Sequence, residues 1–224
     1  MSYLKNYFSL FVAILFHLTG VLGILFTPYK EWFVNNTPMV LLTMFLLLSK
    51  SQDKFSLRFV AINLIAFIIG MTTEIIGVNT GLLFGHYAYG TVLGPKLYGV
   101  PLLIGFNWFI IVFCAGSFMT QFLVLIQRNT KSPISPIAST IAVVLGGAIL
   151  ATCFDLILEP VAVKLHFWSW ENGQIPLLNY FCWFAISAAL LSITMYIKRI
   201  SVNKFATSLF IIQTLFFLAL NLFL

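Results

Sequence analysis

The sequence predicts an all-α polytopic membrane protein with about seven transmembrane helices, and two observations support that prediction. Of its 224 residues, 61% are hydrophobic and only 8% are charged, with a mean hydropathy of +1.03. A soluble globular domain has about 25% charged residues, and a disordered chain is poor in aromatic and aliphatic side chains. The second observation is a series of apolar runs, most of them near the roughly 20 residues that a helix needs to cross a bilayer.

Seven apolar runs account for most of the chain. They fall at about 7–27, 37–49, 55–76, 101–127, 136–159, 176–197 and 205–224. The second run is short and is expected to extend into the preceding Trp32-Phe33-Val34 stretch. The first run is longer than the apolar part of a signal peptide, about 7–15 residues, so we interpret it as a retained span. Residues 1–224 are therefore expected to form a single integral membrane domain.

The basic residues predict the orientation of these spans. With the N-terminus and alternate loops on one side, nine Lys and Arg residues fall on that side and three on the other. Cytoplasmic loops carry the excess of Lys and Arg, so in the cell membrane the N-terminus is expected in the cytoplasm and the C-terminus outside. This bias explains the net charge of +6 without a nucleic-acid partner. The nine are Lys5, Lys50, Lys54, Arg58, Arg128, Lys131, Lys198, Arg199 and Lys204, and the three are Lys30, Lys96 and Lys164.

An internal repeat relates the third and fourth spans to the fifth and sixth. Each copy contains an acid, an aromatic pair, a proline and a tryptophan, in that order. The acid precedes the first aromatic residue by 13 positions in both copies, and the proline precedes the tryptophan by 7. Both copies run in the same direction, so the repeat is parallel, and binding sites in such proteins commonly lie at the repeat interface. The first copy, about 55–127, has Glu74, Tyr87, Tyr89, Pro101 and Trp108, and the second, about 136–197, has Asp155, Trp168, Trp170, Pro176 and Trp183.

Three acids lie within or at the ends of the predicted spans, namely Glu74, Asp155 and Glu159. An ionisable residue in a membrane span is costly and by default marks a functional site. Asp155 and Glu159 are four residues apart and share a helix face. Pro160 disfavours helix at the preceding residue, so Glu159 is expected at or near a helix end. The three acids are candidate catalytic groups, although pairing with a lysine or capping of loop amides would also explain them.

The motifs that contain these acids have a recognisable pattern in both copies. The first copy contains Glu74-Ile-Ile-Gly77, Gly81-Leu-Leu-Phe84-Gly85-His86-Tyr87-Ala-Tyr89, Gly99-Val-Pro101 and Trp108, and the second contains Asp155-Leu-Ile-Leu-Glu159-Pro160, Trp168-Ser-Trp170, Pro176, Asn179 and Trp183. The pattern resembles the carotenoid biosynthesis membrane protein family, which includes carotenoid 1,2-hydratases of the gamma-carotene and bisanhydrobacterioruberin type. The resemblance covers about 55–197. One departure is His166-Phe167 before Trp168, where a small residue is expected.

The resemblance implies that water is added across the terminal C1=C2 double bond of an acyclic carotenoid end group. The implied partners are a carotenoid of the lycopene or gamma-carotene class, water and membrane lipid. Hydration needs an acid to protonate one carbon, which leaves a tertiary carbocation, and a base to orient and deprotonate the water. A carboxyl group buried away from water favours its neutral form and can be that acid. Asp155 is our candidate acid, with Glu74 or Glu159 handling the water.

Aromatic faces stabilise a cation in a dry pocket, so side chains beside the acids are candidate substrate-binding residues. They are Tyr87, Tyr89, Trp108, Trp168, Trp170, Trp183, His86 and Asn179. Tryptophan and tyrosine are also favoured at membrane interfaces whatever the function, which is the alternative explanation for them. His86 and His166 lack acids at metal-ligand spacing, so no metal site is expected, and no cofactor is expected.

Two other functions fit the same residues. A lycopene-type cyclase would form the same carbocation and lose a proton after ring closure, so its product mass would be unchanged. A proton-coupled membrane transporter would also place acids in a parallel repeat. Against a transporter, the acids cluster near one face and do not form a relay across the bilayer.

Overall fold

A computed structural model describes residues 2–52, 56–130 and 133–224, which form a helical bundle. Six of its helices (α1 and α4–α8) are long and apolar enough to span a membrane, which confirms the predicted all-α polytopic membrane fold. Lys54 and Lys131, used in the predictions above, lie outside the described residues, as does residue 55, where the first repeat copy was taken to begin. The helices are α1 (Ser2–Phe26), α2 (Lys30–Asn35), α3 (Thr37–Lys50), α4 (Leu57–Thr80), α5 (Leu103–Thr130), α6 (Pro136–Lys164), α7 (Leu177–Ile197) and α8 (Lys204–Phe223).

The predicted second span corresponds to two helices, the six-residue α2 and the 14-residue α3. At 1.5 Å per residue α3 is about 21 Å long, shorter than a hydrocarbon core of about 30 Å. It nevertheless runs from one end of the bundle to the other. Thr37, at its start, lines the same cavity as Leu165, just after α6. Ser51, just after its end, accepts a hydrogen bond from Asn203 Nδ2, just before α8, at 3.1 Å.

Two short antiparallel sheets, which the sequence analysis did not predict, lie at one end of the bundle. Strand β1 (Tyr87–Tyr89) pairs with β4 (Trp168–Trp170), with Tyr87 opposite Trp170 and Tyr89 opposite Trp168. Strand β2 (Lys96–Leu97) pairs with β3 (Val100–Pro101). A hydrogen bond from the Gly90 N–H to the Phe167 carbonyl, 2.8 Å, continues the β1–β4 ladder. Position 90 requires glycine because a Cβ there would overlap the backbone carbonyl oxygen of His166.

The β1–β4 pairing joins the two copies of the predicted repeat. Copies related by a two-fold axis along the bundle would present their aromatic strands antiparallel, each first residue opposite the other's last. The observed register has that form. The pairing therefore supports the parallel repeat, which stays a prediction.

The interior of the bundle is built around α5, which contacts α3, α4, α6, α7 and α8. Glycines allow the closest approaches between these helices. A Cβ on Gly70 of α4 would stand 2.7 Å from the Trp108 indole, and one on Gly147 of α6 would stand 2.7 Å from Leu191. Small residues at helix interfaces in membranes let backbones approach and gain van der Waals contact. This packing holds the ends of α4–α7 together where the acids lie.

Helix α6 runs farther than the sequence predicts. It includes Pro160 and continues to Lys164. A proline inside a helix removes one backbone hydrogen bond and kinks the chain, but the helix can continue beyond it. As a result Glu159 lies inside α6, 2% exposed, and the turn Leu165–Phe167 that leads to β4 starts about one helical turn later than predicted.

The loop contacts generate a test of topology. Arg199 contacts the Pro136 carbonyl at one end of the bundle, while Asn221 near the C-terminus contacts the Ile157 carbonyl toward the other. If the basic residues near Arg199 place the first end in the cytoplasm, the C-terminus lies on the other side of the membrane. A reporter fused after Leu224 should then be active only outside the cytoplasm. A matched insertion after Gln52 should be active only inside. Cytoplasmic activity of the Leu224 fusion would contradict the predicted orientation.

Candidate active site

A small cavity lies between the ends of α4–α7, beneath the β1–β4 sheet. Its free volume is about 20 Å³, roughly the space that one water molecule occupies. All three acids predicted from the sequence line it, together with aromatic and polar side chains. The lining residues are Glu74, Phe84, Tyr87, Tyr89, Ile104, Asn107, Trp108, Asp155, Leu158, Glu159, Trp168, Trp170, Asn179 and Trp183.

Glu74 is saturated with hydrogen-bond donors. Its Oε2 accepts from the hydroxyls of Tyr87, at 2.5 Å, and Tyr89, at 2.7 Å. Its Oε1 accepts from Trp108 Nε1 at 2.9 Å. The side chain is 4% exposed, and both of its oxygens act only as acceptors, which is the bonding of an ionised carboxylate. Three donors therefore fix Glu74 in position and favour its ionised form.

Glu159 and Asp155 are linked through Asn179. The indole N–H groups of Trp168 and Trp170 both donate to Glu159 Oε2, at 2.9 and 2.8 Å. Asn179 Nδ2 lies 2.7 Å from Asp155 Oδ2 and 3.4 Å from Glu159 Oε1. By sequence spacing, Asp155 is the equivalent of Glu74. In the structure, however, the aromatic pair of the second copy, Trp168 and Trp170, hydrogen-bonds to Glu159. Glu159 thus binds its own loop as Glu74 binds Tyr87 and Tyr89.

Asp155 differs from the other two acids because one of its oxygens is free. Oδ1 is buried and has no hydrogen-bond partner among the described residues, and the whole side chain is 1% exposed. A buried polar atom without a partner is costly, and in a native protein it calls for a specific explanation. A protonated carboxyl group can donate from this oxygen to a ligand, so Asp155 is the acid best placed to transfer a proton.

Aromatic rings surround the three acids. The rings of Trp108 and Trp183 are stacked, with centroids 4.0 Å apart and an interplanar angle of 16°. Across the strand pair, Tyr87 faces Trp170 at 4.9 Å and Tyr89 meets Trp168 at 5.7 Å. Aromatic faces carry negative potential and attract a cation. The cavity is therefore suited to a short-lived positive charge.

The two tyrosines of β1 keep their protons. Burial, followed by the negative charge of Glu74, raises the pKa of Tyr87 and the pKa of Tyr89 above their ordinary value. A phenol that stays neutral remains a donor. Both hydroxyls consequently hold Glu74 across the whole range of ordinary pH.

Ten of the eleven residues predicted as site residues line the cavity, and His86 does not. His86 is exposed, and its ring lies beside Gly81. Four further residues line the cavity that were not predicted as site residues, namely Phe84, Ile104, Asn107 and Leu158. Asn107 could have been predicted as a site residue, because it is polar and directly precedes Trp108. The three apolar residues, Phe84, Ile104 and Leu158, gave no such signal, because apolar residues of these types are common along the whole chain. Among the described residues, no three His, Cys, Asp or Glu side chains are grouped to hold a metal ion.

The fold and the cavity define an integral membrane protein with a buried carboxyl cluster under an aromatic cap. The chain belongs to the carotenoid biosynthesis protein family, whose sequence model matches residues 34–224. It is also 33% identical over 114 residues to the bisanhydrobacterioruberin hydratase of Haloarcula japonica. That alignment spans 49% of this chain and 36% of the relative. No solved structure matches the chain.

The raised pKa values of Tyr87 and Tyr89 predict the alkaline titration of the protein. In detergent, these two phenols should remain un-ionised while the protein is folded, since burial and Glu74 oppose a second negative charge. Unfolded tyrosine ionises near pH 10, so their contribution to stability is complete below about pH 10 and declines above it. Tyrosinate absorbance measures this. The double variant Tyr87→Phe/Tyr89→Phe should leave the rise between about pH 9 and 11 unchanged; a smaller rise would show that they titrate normally.

Gly77 on α4 provides a test of the Tyr87–Glu74 contact. A Cβ at this position would stand 2.9 Å from the Tyr87 hydroxyl and 2.8 Å from the Phe84 ring. Gly77→Ala should therefore displace Tyr87 and destabilise the protein by about 1–3 kcal/mol, as overpacking does. Thermal unfolding in detergent measures the change. The control is Thr72→Ala, at an exposed position of the same helix, which should change stability by less than about 0.5 kcal/mol.

Proposed function

We propose that this protein is a carotenoid hydratase that adds water across the terminal C1=C2 double bond of an acyclic carotenoid end group. The observation that supports this most directly is the grouping of three buried carboxyl groups in one aromatic cavity, with an oxygen of Asp155 left free. Membership of a carotenoid biosynthesis family supports the substrate class. The Haloarcula japonica relative is named as a hydratase.

The first step is proton transfer from Asp155. Its Oδ1 delivers a proton to C2 of the alkene, and the π electrons form the new C–H bond. The positive charge then lies on C1, which carries three carbon substituents. Asn179, bonded to Asp155 Oδ2, holds the carboxyl group in position and leaves Oδ1 as the free oxygen. After transfer, the charge left on Asp155 is balanced by the carbocation beside it.

The surrounding groups stabilise the cation. Glu74 is a fixed anion that cannot approach closely enough to trap the cation covalently, because Tyr87, Tyr89 and Trp108 occupy its oxygens. The rings of Trp108 and Trp183 present π faces, and cation–π attraction grows when the site excludes water. Electrostatic preorganisation of this kind is the largest contribution to many enzymatic rate enhancements.

The second step is addition of water to C1. A lone pair of the water oxygen forms the C–O bond, and the proton released goes to a carboxylate. Glu159 is best placed to receive it, since its Oε1 has only the long 3.4 Å contact with Asn179. Asp155 and Glu159 are one helical turn apart on α6, so the proton can pass between them and restore the acid. Overall, the reaction consumes one water molecule for each double bond that is hydrated, and it involves no net oxidation or reduction.

The cavity must enlarge to admit the end group, because its free volume of about 20 Å³ suits a water molecule. In this proposal the β1–β4 sheet, which consists of three-residue strands carried on loops, moves aside to admit it. Displacement of the sheet would open the cavity at the end of the bundle, where water and lipid meet. Closure would then exclude bulk water from the cation.

The acids generate the test of this proposal. In cells that accumulate lycopene or gamma-carotene, Glu74→Gln and Asp155→Asn should each lower conversion at least about 10²–10⁴-fold, the usual contribution of acid–base catalysis. Both changes keep the size of the side chain; Asp155→Asn removes the proton that is transferred, and Glu74→Gln removes the negative charge beside the cation. The readout is pigment mass, normalised to membrane-inserted protein, and hydration adds one water to that mass.

Two matched variants serve as controls. Glu31→Gln and Glu171→Gln alter acids that are exposed and lie outside the cavity, so they should keep most of the activity. Near-normal conversion by Glu74→Gln or Asp155→Asn would remove that residue from the mechanism. A cyclised product of unchanged mass would instead support a lycopene-type cyclase.

A further inference from the structure

A second cavity lies outside the carboxyl cluster, between α1, α2, α3 and α8. Its free volume is about 350 Å³, within the range of about 300–1,000 Å³ that small-molecule sites occupy. Its walls are mainly apolar, and Trp32, Phe33, Leu165 and Phe167 form the part nearest the β1–β4 sheet. No residue lines both cavities, so this is a separate space.

Two buried polar side chains project into this apolar space. His17 of α1 is 8% exposed and Gln213 of α8 is 5% exposed, and both line the cavity. His17 Nδ1 lies 2.7 Å from the Ala13 carbonyl oxygen. Because a carbonyl oxygen only accepts, Nδ1 carries a hydrogen, and the neutral ring leaves Nε2 as an acceptor. The Gln213 amide has no hydrogen bond with any residue in the described ranges.

Neither the Gln213 amide nor His17 Nε2 has a hydrogen-bond partner among the described residues, so a ligand that supplies one gains a hydrogen bond there. The pair offers one acceptor, His17 Nε2, and the donors of the Gln213 amide. A hydroxyl group matches it, since its O–H donates and its oxygen accepts. Both residues lie near the middle of their helices, so the rest of the ligand must extend through the apolar part of the cavity.

We infer that this cavity binds an isoprenoid alcohol, with the hydroxyl held between His17 and Gln213 and the hydrocarbon chain lying along α3. The isoprenoid part rests on the proposed function, because hydration of a carotenoid end group produces a tertiary alcohol of this class. The cavity reaches the outside of the bundle at Trp32 and Met39, which are 60% and 47% exposed. A ligand can therefore enter from the lipid.

The position of the cavity connects it with the carboxyl cluster. Phe167 lines the second cavity, and the next residue, Trp168, lines the first. The rings of these two residues are in contact, with centroids 6.3 Å apart. A hydroxylated chain in the second cavity would lie beside the turn that leads into β4. This is where the product of the proposed reaction would be held after leaving the acids.

The test is to titrate the purified full chain in detergent with retinol, a polyene alcohol. Binding is measured from the fluorescence of retinol. Wild-type protein should bind retinol saturably, and retinyl methyl ether, which lacks the O–H donor, about tenfold more weakly. Gln213→Leu and His17→Phe should each weaken retinol binding about tenfold, the equivalent of one lost hydrogen bond. Val40→Phe, which keeps the polar pair and narrows the cavity, should also weaken binding.

The controls separate this site from the proposed reaction. Gln121→Leu, at a half-buried glutamine of α5 that lines neither cavity, should bind retinol like wild type. Glu74→Gln should also bind normally, whether or not it hydrates carotenoids, so failure of one proposal leaves the other intact. Equal binding of retinol by wild type and Gln213→Leu, or of the ether and the alcohol, would overturn the inference. Loss of binding in Glu74→Gln would also overturn it, since the alcohol would then occupy the first cavity.

Discussion

Burial of three carboxyl groups inside a membrane-spanning bundle is the constraint on which the rest of this structure depends. A charged or polar group away from water must find donors within the protein, and apolar helices offer few. Here the loops between the helices supply them, through Tyr87 and Tyr89 for Glu74 and through Trp168 and Trp170 for Glu159. The loops must therefore fold back onto the helix ends, and pairing of β1 with β4 satisfies their own backbone groups while they do so.

The same constraint divides the acids into different chemical roles. Glu74 accepts three hydrogen bonds and Glu159 accepts two from indoles, whereas Asp155 has one bonded and one free oxygen. Enzymes that run acid and base chemistry together place similar groups in environments that favour different protonation states. In this cavity the number of donors around each carboxyl group makes that distinction. Asp155, whose Oδ1 has no donor, is for that reason the acid that we propose as the proton donor.

The sequence was sufficient to predict the membrane fold, the three acids and most of the aromatic residues around them. Composition predicts the membrane fold, and the cost of placing a charge inside the membrane marks the three acids as functional candidates. Two features were beyond it. Spacing equated Asp155 with Glu74, but which acid an indole reaches depends on the path of a loop, and Glu159 lies one helical turn closer to β4. The extension of α6 through Pro160 depends on packing that local preference does not record.

The peripheral helices α1, α3 and α8 contribute no acid to the first cavity, yet they determine what surrounds it. Helices α1, α3 and α8 enclose an apolar space against the turn Leu165–Phe167, and that turn continues directly into β4. Any displacement of β4 that admits a substrate end group to the acids must therefore also move a wall of the second cavity. Interiors are close-packed, so such shifts are transmitted to neighbours and are not absorbed locally.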